Sequence, residues 1–381
     1  MKYFLIAGEA SGDLHAANLM RALREEDPWA EFRFYGGNHM ANVGEKEHLL
    51  CHYEKLAYMG IIPVLLHLPQ ILRGLKHCKA QIEAYQPDLL ILVDYAGFNL
   101  RVARYVHERH ICPVFYYIPP KIWAWKENRI RSLKRYTDGI FSILPFEPEY
   151  YRTRHGCNIT YTGNPTVDEV ATYQTPQTPA QHDTHLVALL PGSRRQEVAS
   201  NLLRMLQAAE PLCQSPHNIR LAIAVAPALP LTLYEDIIHK TEVSHQHIQL
   251  VQNDTYGILS QAHAALVTSG TATLETALFR VPQIVCYHIR CGRLVRLLRR
   301  FLIKIPYISL VNLIAEKEVL PELVADQMNV HNVRTHLQKI LLDGTKRKQM
   351  LDGYELVAHK LGQPGASRQA AKAMLTQFYH N

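Results

Sequence analysis

Short apolar runs alternate with longer amphipathic stretches through the first half of the chain. Tyr3–Ala7, Glu31–Tyr35, Leu89–Val93, Val114–Tyr117, Gly139–Leu144 and Ile159–Thr162 have the length and apolar density of strands. Helical spacing fills the gaps, most clearly over Leu14–Leu23, Leu100–His107 and Asn128–Tyr136. This alternation predicts an α/β fold with a doubly wound parallel sheet, because parallel neighbours need a long crossover and a helix supplies it. Between Tyr173 and Asp183 the sequence YQTPQTPAQHD offers little to a core and predicts a linker. The rhythm then restarts with Leu186–Leu190, Leu221–Val225, Ile248–Val251, Ala264–Val267 and Gln283–Tyr287, and helices close the chain from Val330. The expected organisation is a Rossmann-like domain over 1–172, a linker over 173–184 and a second Rossmann-like domain over 185–381. The two would face a cleft, with terminal helices packing back on the first domain or on a partner subunit.

At 381 residues, nearly half of them hydrophobic, the chain can fill two cores. A balance of 41 Lys and Arg against 34 Asp and Glu leans toward anionic partners without amounting to a nucleic-acid tail. The seven cysteines are scattered and lack a CxxC pair, which points to reduced thiols in a cytoplasmic protein. Tyr3–Ala7 is too short for a signal peptide, and Pro63, His67, Pro69 and Gln70 break the longest apolar stretch before it reaches a membrane span.

In open sheets of this kind ligands sit at the carboxyl ends of the strands, so the residues just beyond each strand carry the candidate chemistry. Gly8-Glu9-Ala10-Ser11-Gly12-Asp13 follows the first strand. Gly8 and Gly12 allow close backbone approach to a ligand, while Ser11 and Asp13 serve equally as helix caps. Asp94 directly follows Leu89–Val93 and opens DYAGFN, ending in Asn99; it is either a partly desolvated general base or an acceptor for its own loop. Pro191-Gly192-Ser193-Arg194-Arg195 follows the first strand beyond the linker, and Ser193 with the Arg194 guanidinium suits an anion. In ALVTSGTATLETAL, Ser269, Gly270, Thr271 and Thr273 suit a diphosphate, and Glu275, repelled by phosphate, suits ribose hydroxyls. A helix-start carboxylate is the plainer reading of Glu275.

Two stretches suit a greasy or charged surface: the apolar run Met59–Leu75 and the segment Cys291–Pro306. At 100° per residue the latter puts Arg293, Arg296, Arg300 and Lys304 opposite Leu294, Leu298, Phe301, Leu302 and Ile305, a membrane-surface pattern or a core helix with a basic face. No convincing metal-ligand spacing, GxSxG elbow, GxxxxGK[ST] loop or aspartate-x-aspartate clamp is present, so neither a metal nor a cofactor is expected.

Taken in order, GEASGD, LAYMG (56–60), VDYAGFN, IPPKIWAW (118–125), LPFEP (144–148), GNPTVD (163–168), LLPGSR, SGTATLE and VNLIAEKEVLPEL resemble the lipid-A-disaccharide synthases, inverting glycosyltransferases of the two-domain GT-B architecture. The resemblance implies transfer of 2,3-diacylglucosamine from UDP to the 6-hydroxyl of 2,3-diacylglucosamine 1-phosphate, giving a β-1,6 disaccharide and UDP. It implies Asp94 as base, Arg194 opposite the departing UDP, Ser269–Thr271 and Glu275 as the nucleotide site, and Asn312 of VNL at the same cleft. It further implies a homodimer working at the cytoplasmic face of the inner membrane. The chain departs from the family at Gly97, where a second acid is common, and at Pro119, Val311, Glu316 and Ala325. Alternatives on this architecture are a UDP-N-acetylglucosamine epimerase, a peptidoglycan-type glucosaminyltransferase, or a non-catalytic nucleotide-sugar binder.

Overall fold

The computed structural model describes residues 1–55, 68–173, 185–214, 217–288 and 306–380. The LAYMG motif, most of the apolar Met59–Leu75 run, nearly all of the linker and the basic stretch Arg293–Lys304 lie outside the described residues. Two compact units emerge: Met1–Pro165 together with Gln363–Asn381, and Thr166–Gly362. The first unit thus extends to Pro165 and takes back the end of the chain.

The first unit is built on β1 (Lys2–Ala7), β2 (Glu31–Gly36), β3 (Leu49–His52), β4 (Leu89–Val93), β5 (Val114–Tyr117), β6 (Gly139–Ser142) and β7 (Thr160–Tyr161). They form one parallel sheet in the order β3-β2-β1-β4-β5-β6-β7. Its central strands are buried on both faces, which is why they read as continuous apolar runs. In β1, Tyr3, Leu5 and Ala7 enter one core and Phe4 and Ile6 the other. The closing helix Ala366–His380 adds Ala370, Ala371 and Met374 to the first of these cores.

The second unit repeats the plan with β8 (Leu186–Leu190), β9 (Arg220–Val225), β10 (Ile248–Gln252), β11 (Ala264–Val267), β12 (Gln283–Tyr287) and β13 (Glu322–Val324). Its parallel order is β10-β9-β8-β11-β12-β13. Both sheets are Rossmann-like, with helices in the crossovers. Strand order reverses between β1 and β4 in one and between β8 and β11 in the other, and a crevice opens at such a switch point. Ala7 pairs with Val93 and Leu190 with Val267, so Gly8 adjoins Asp94, and Pro191 adjoins Thr268.

Candidate functional site

At the switch point of the first unit, Asp94 and Tyr95 both turn left-handed, at φ 46° and 45°. The cost of that conformation is met by the backbone around it. The Asp94 N–H donates to the Tyr117 carbonyl at 3.1 Å. Its own carbonyl accepts the Asn99 amide at 2.8 Å and the Tyr116 hydroxyl at 2.5 Å. Asn99 is wholly buried and also donates to the Val93 carbonyl. Its amide therefore braces Asp94 from behind instead of turning outward. Burial pushes the Asp94 carboxyl above the ordinary aspartate range; Lys121, the Tyr95 amide and Arg129 pull it part of the way back. Gly8 lies against the Tyr95 ring, where a Cβ would approach ring carbon to 2.1 Å. That contact fixes the choice of glycine.

The rest of the GEASGD edge divides. Ser11 is exposed and Glu9 half-buried at the start of the helix Ala10–Glu26. Gly12 is buried, with room for a methyl group 3.6 Å from Ala7. Asp13 is buried and turned inward: its carboxylate accepts from the backbone N–H groups of Gly37 (2.6 Å), His39 (2.9 Å) and Met40 (3.2 Å). It caps the helix Asn38–Gly44, so the acid that stood as a ligand candidate is a structural one.

In the second unit the PGSR turn already holds an anion of its own. The N–H groups of Ser193 and Arg194, both at 3.3 Å, and the Arg194 guanidinium at 3.1 Å converge on the Glu197 carboxylate. Glu197 thus reaches back to the N-cap of the helix Arg195–Ala209, as the N3 acid of a capping box does. Across the switch point, the Ser269 hydroxyl donates to the Ile308 carbonyl at 3.2 Å, and Gly270 and Thr271 are exposed. Thr273 is buried, its hydroxyl spent on the Gly270 carbonyl at 2.8 Å. Glu275 sits in the helix Ala272–Leu278, and among the described residues its carboxylate has no hydrogen-bonding partner. Burial and then the neighbouring Glu169 push it up to about 7. Glu169 accepts the Tyr256 hydroxyl at 3.5 Å.

Asn312 is engaged within its own unit. It is fully buried; its amide nitrogen donates to the Leu320 carbonyl (2.9 Å) and Glu322 (3.0 Å), and its oxygen accepts from the N–H groups of Val319 (2.8 Å) and Leu320 (3.1 Å). With its amide fully engaged, it ties the 319–322 segment to its helix. Glu316, at φ 60°, closes that helix in the left-handed conformation that glycine usually supplies, and Lys360 pairs with its carboxylate at 2.7 Å.

Sequence reasoning passed over four residues that bear on Asp94. Lys121 and Arg129 act on its charge. Trp123 and Glu147, buried beside that segment, hydrogen bond to each other at 2.7 Å. The IPPKIWAW and LPFEP motifs that contain three of them were visible as strings, but their meeting was not. Among the described residues, no group of three His, Cys, Asp or Glu side chains gathers as a metal site, and no helix is long and apolar enough to cross a membrane.

A family model described as lipid-A-disaccharide synthetase matches residues 3–376. A lipid-A-disaccharide synthase of Syntrophus aciditrophicus is 37% identical over 377 residues, covering 98% of this chain and 96% of its own length. Among solved structures, the UDP-GlcNAc 2-epimerase of Neisseria meningitidis bound to UDP-GlcNAc is similar at TM-score 0.68 and 11% identity, covering 99% of this chain and 100% of its own. The calicheamicin glycosyltransferase CalG4 is similar at TM-score 0.59 and 13% identity, covering 99% and 98%. At such identities the solved structures establish the shared architecture alone, whereas the sequence match runs nearly end to end. The chain belongs to the lipid-A-disaccharide synthase family of glycosyltransferases.

Proposed function

We propose that this enzyme of lipid A disaccharide formation transfers 2,3-diacylglucosamine from UDP to the 6-hydroxyl of 2,3-diacylglucosamine 1-phosphate, with Asp94 as the general base. The observation that carries the reading is the clamped, half-buried Asp94 at the switch point of the first unit. A raised proton affinity suits a carboxylate that must accept a proton from an alcohol. In the step, the acceptor oxygen loses its proton to Asp94 as it attacks the anomeric carbon. The bond from that carbon to the UDP oxygen breaks on the opposite face, so the configuration inverts.

The nucleotide falls to the second unit. Glu275, a half-buried carboxylate with no hydrogen-bonding partner among the described residues, suits a ribose diol. Ser269, Gly270 and Thr271 lie beside it in sequence toward the diphosphate. Arg194 and the Ser193 amide already donate to one carboxylate, that of Glu197, and an incoming phosphate would take its place. The donor and acceptor both carry acyl chains, which favours work at the cytoplasmic face of the inner membrane. Leu72, exposed on the helix Leu68–Tyr85, would offer them an apolar contact, whereas Ile71 and Leu75 on that helix are buried. Dimer formation, implied by the resemblance, belongs to the same reading.

Purified protein incubated with both acylated substrates should release UDP, with the rate falling steeply when either substrate loses its acyl chains. Equal turnover of unacylated UDP-N-acetylglucosamine would favour the epimerase or peptidoglycan-type activity. No turnover with intact UDP binding would favour a binder.

A further inference from the structure

The turn after β5 is tied down more firmly than an exposed connection needs. Ile118 takes a left-handed φ of 59°, rare for a β-branched residue, while its N–H donates to the Phe141 carbonyl at 2.9 Å. The Ile122 N–H closes on the Pro120 carbonyl at 2.6 Å, the Ala124 N–H on that of Lys121 at 3.0 Å, and the Tyr151 hydroxyl reaches the Pro120 carbonyl at 3.3 Å. Below the turn, the Trp123 indole N–H donates to Glu147 Oε1 at 2.7 Å, and the other Glu147 oxygen accepts the Ser142 hydroxyl. The indole meets the Phe146 ring edge-on, with centroids 5.2 Å apart. Glu147 is 1% exposed. A carboxyl is costly to bury, and here it is held by two donors, one of which is the anchor of the turn.

The turn stands next to Asp94 by register: Val93 pairs with Tyr117, and the Asp94 N–H donates to the Tyr117 carbonyl. Of its cations, Lys121 is exposed and makes no ion pair among the described residues, whereas Lys126, also exposed, and Arg129 lie over the Trp125 ring at 4.5 Å and 5.2 Å. We propose that Trp123 and Glu147 form a buried latch that holds the Lys121 ammonium within electrostatic reach of the Asp94 carboxylate, making Lys121 a positioning residue for the base and Glu147 its support. The inference rests on the reading of Asp94 as base.

The charged and titratable groups around Asp94 are few. Lys121 and Arg129 favour its ionised form, and the Tyr95 amide helps. Asp94 in turn opposes the ionisation of the buried Glu147, on the helix Glu147–His155. The Tyr116 hydroxyl, from β5, is committed to the Asp94 carbonyl. Removing Lys121 therefore raises the pH at which Asp94 ionises.

The test is the pH profile of kcat/KM for the full chain and for Lys121→Gln, Lys121→Arg, Trp123→Phe, the Lys121→Gln/Trp123→Phe double variant and Glu147→Gln. Lys121→Gln should move the acid limb up by about half a pH unit to one unit, less than a close buried charge would because Lys121 is solvent-exposed. Lys121→Arg should restore it. Trp123→Phe should move the limb in the same direction, and the double variant no further than Lys121→Gln alone, since both act through one ammonium. Glu147→Gln keeps an acceptor for the indole and a donor for Ser142, so its limb should not rise; this guards against a fold lost in Trp123→Phe. An unmoved limb in Lys121→Gln, no rescue by arginine, or full additivity in the double variant overturns the latch. If Asp94→Asn is inactive in that case, the base reading survives; if Asp94→Asn is active, the base reading falls with it.

Discussion

Asp94 and Glu275 are half-buried acids at the carboxyl edges of the two sheets, and burial raises the proton affinity of both. They are held in opposite ways. Asn99, Tyr116 and Tyr117 grip the backbone of Asp94 from behind, and Gly8 makes room for the ring beside it. Glu275 stands on a short helix with no hydrogen bond to its carboxylate among the described residues, and the charge that acts on it is that of another acid, Glu169. A group that takes a proton at a fixed atom needs its position defined to a fraction of an ångström. A group that receives two hydroxyls from a ligand needs free acceptor capacity instead. In the proposed reading the first acid is held for chemistry and the second is left open for binding.

The sharpest break of that contrast is Asp94→Asn. Asparagine accepts the left-handed φ of 46° about as readily as aspartate, so the backbone grip survives and only the base is lost. Turnover should fall by about 10²- to 10⁴-fold, with UDP affinity nearly unchanged by calorimetry. Equal loss of affinity and turnover would give Asp94 a structural task and dissolve the distinction.

The contrast was only half visible in the sequence. The central strands β1, β4, β5, β8, β11 and β12 were legible because burial on both faces makes them unbroken apolar runs. The sheet edges β3 and β13 escaped, one half-buried throughout and one only three residues long. Asp94 was legible from its place after a strand, as was Glu275 from its place after a polar turn. Asp13, Asn99, Thr273 and Asn312 looked the same in the sequence as ligand-facing residues. Thr273 bonds the Gly270 carbonyl within its own turn, but the other three are turned inward mainly by backbone five or more residues away, such as the N–H groups of Gly37 to Met40 for Asp13 and the Asp94 carbonyl for Asn99. Local spacing carries no trace of such partners. The Trp123–Glu147 bond spans 24 residues and two motifs, and was hidden for the same reason.

On the binding side, Glu275→Ala should weaken UDP by about 10- to 100-fold, as expected for losing hydrogen bonds to a charged acceptor. The same change should leave the acid limb of kcat, read with donor and acceptor bound and assigned to Asp94 in the proposed reading, where it was, while any limb that Glu275 gives kcat/KM through donor binding should disappear. Because ribose hydroxyls favour the ionised carboxylate, UDP binding near pH 7 should release protons from Glu275, whose pKa lies at about 7. Calorimetry in buffers of different ionisation enthalpy would read this. An unchanged UDP affinity in Glu275→Ala would remove the second half of the comparison.

The smallest effect belongs to Gly97. It is exposed in the first turn of the helix Ala96–Glu108, and a Cβ there meets nothing within 4 Å. Gly97→Asp therefore adds an acid without a clash, at a helix start that favours negative charge. The new carboxylate should disfavour ionisation of Asp94 and move the acid limb of kcat/KM up by about half a pH unit, roughly threefold in rate below the limb. Thermal stability should hold or rise slightly, since glycine gives way to a residue that restricts the unfolded chain. Combined with Lys121→Gln the two shifts should add, because one introduces an anion and the other removes a cation at separate points around the same carboxylate. A limb that stays put in Gly97→Asp would mean that the grip on Asp94, rather than the charges around it, sets when the base is ready.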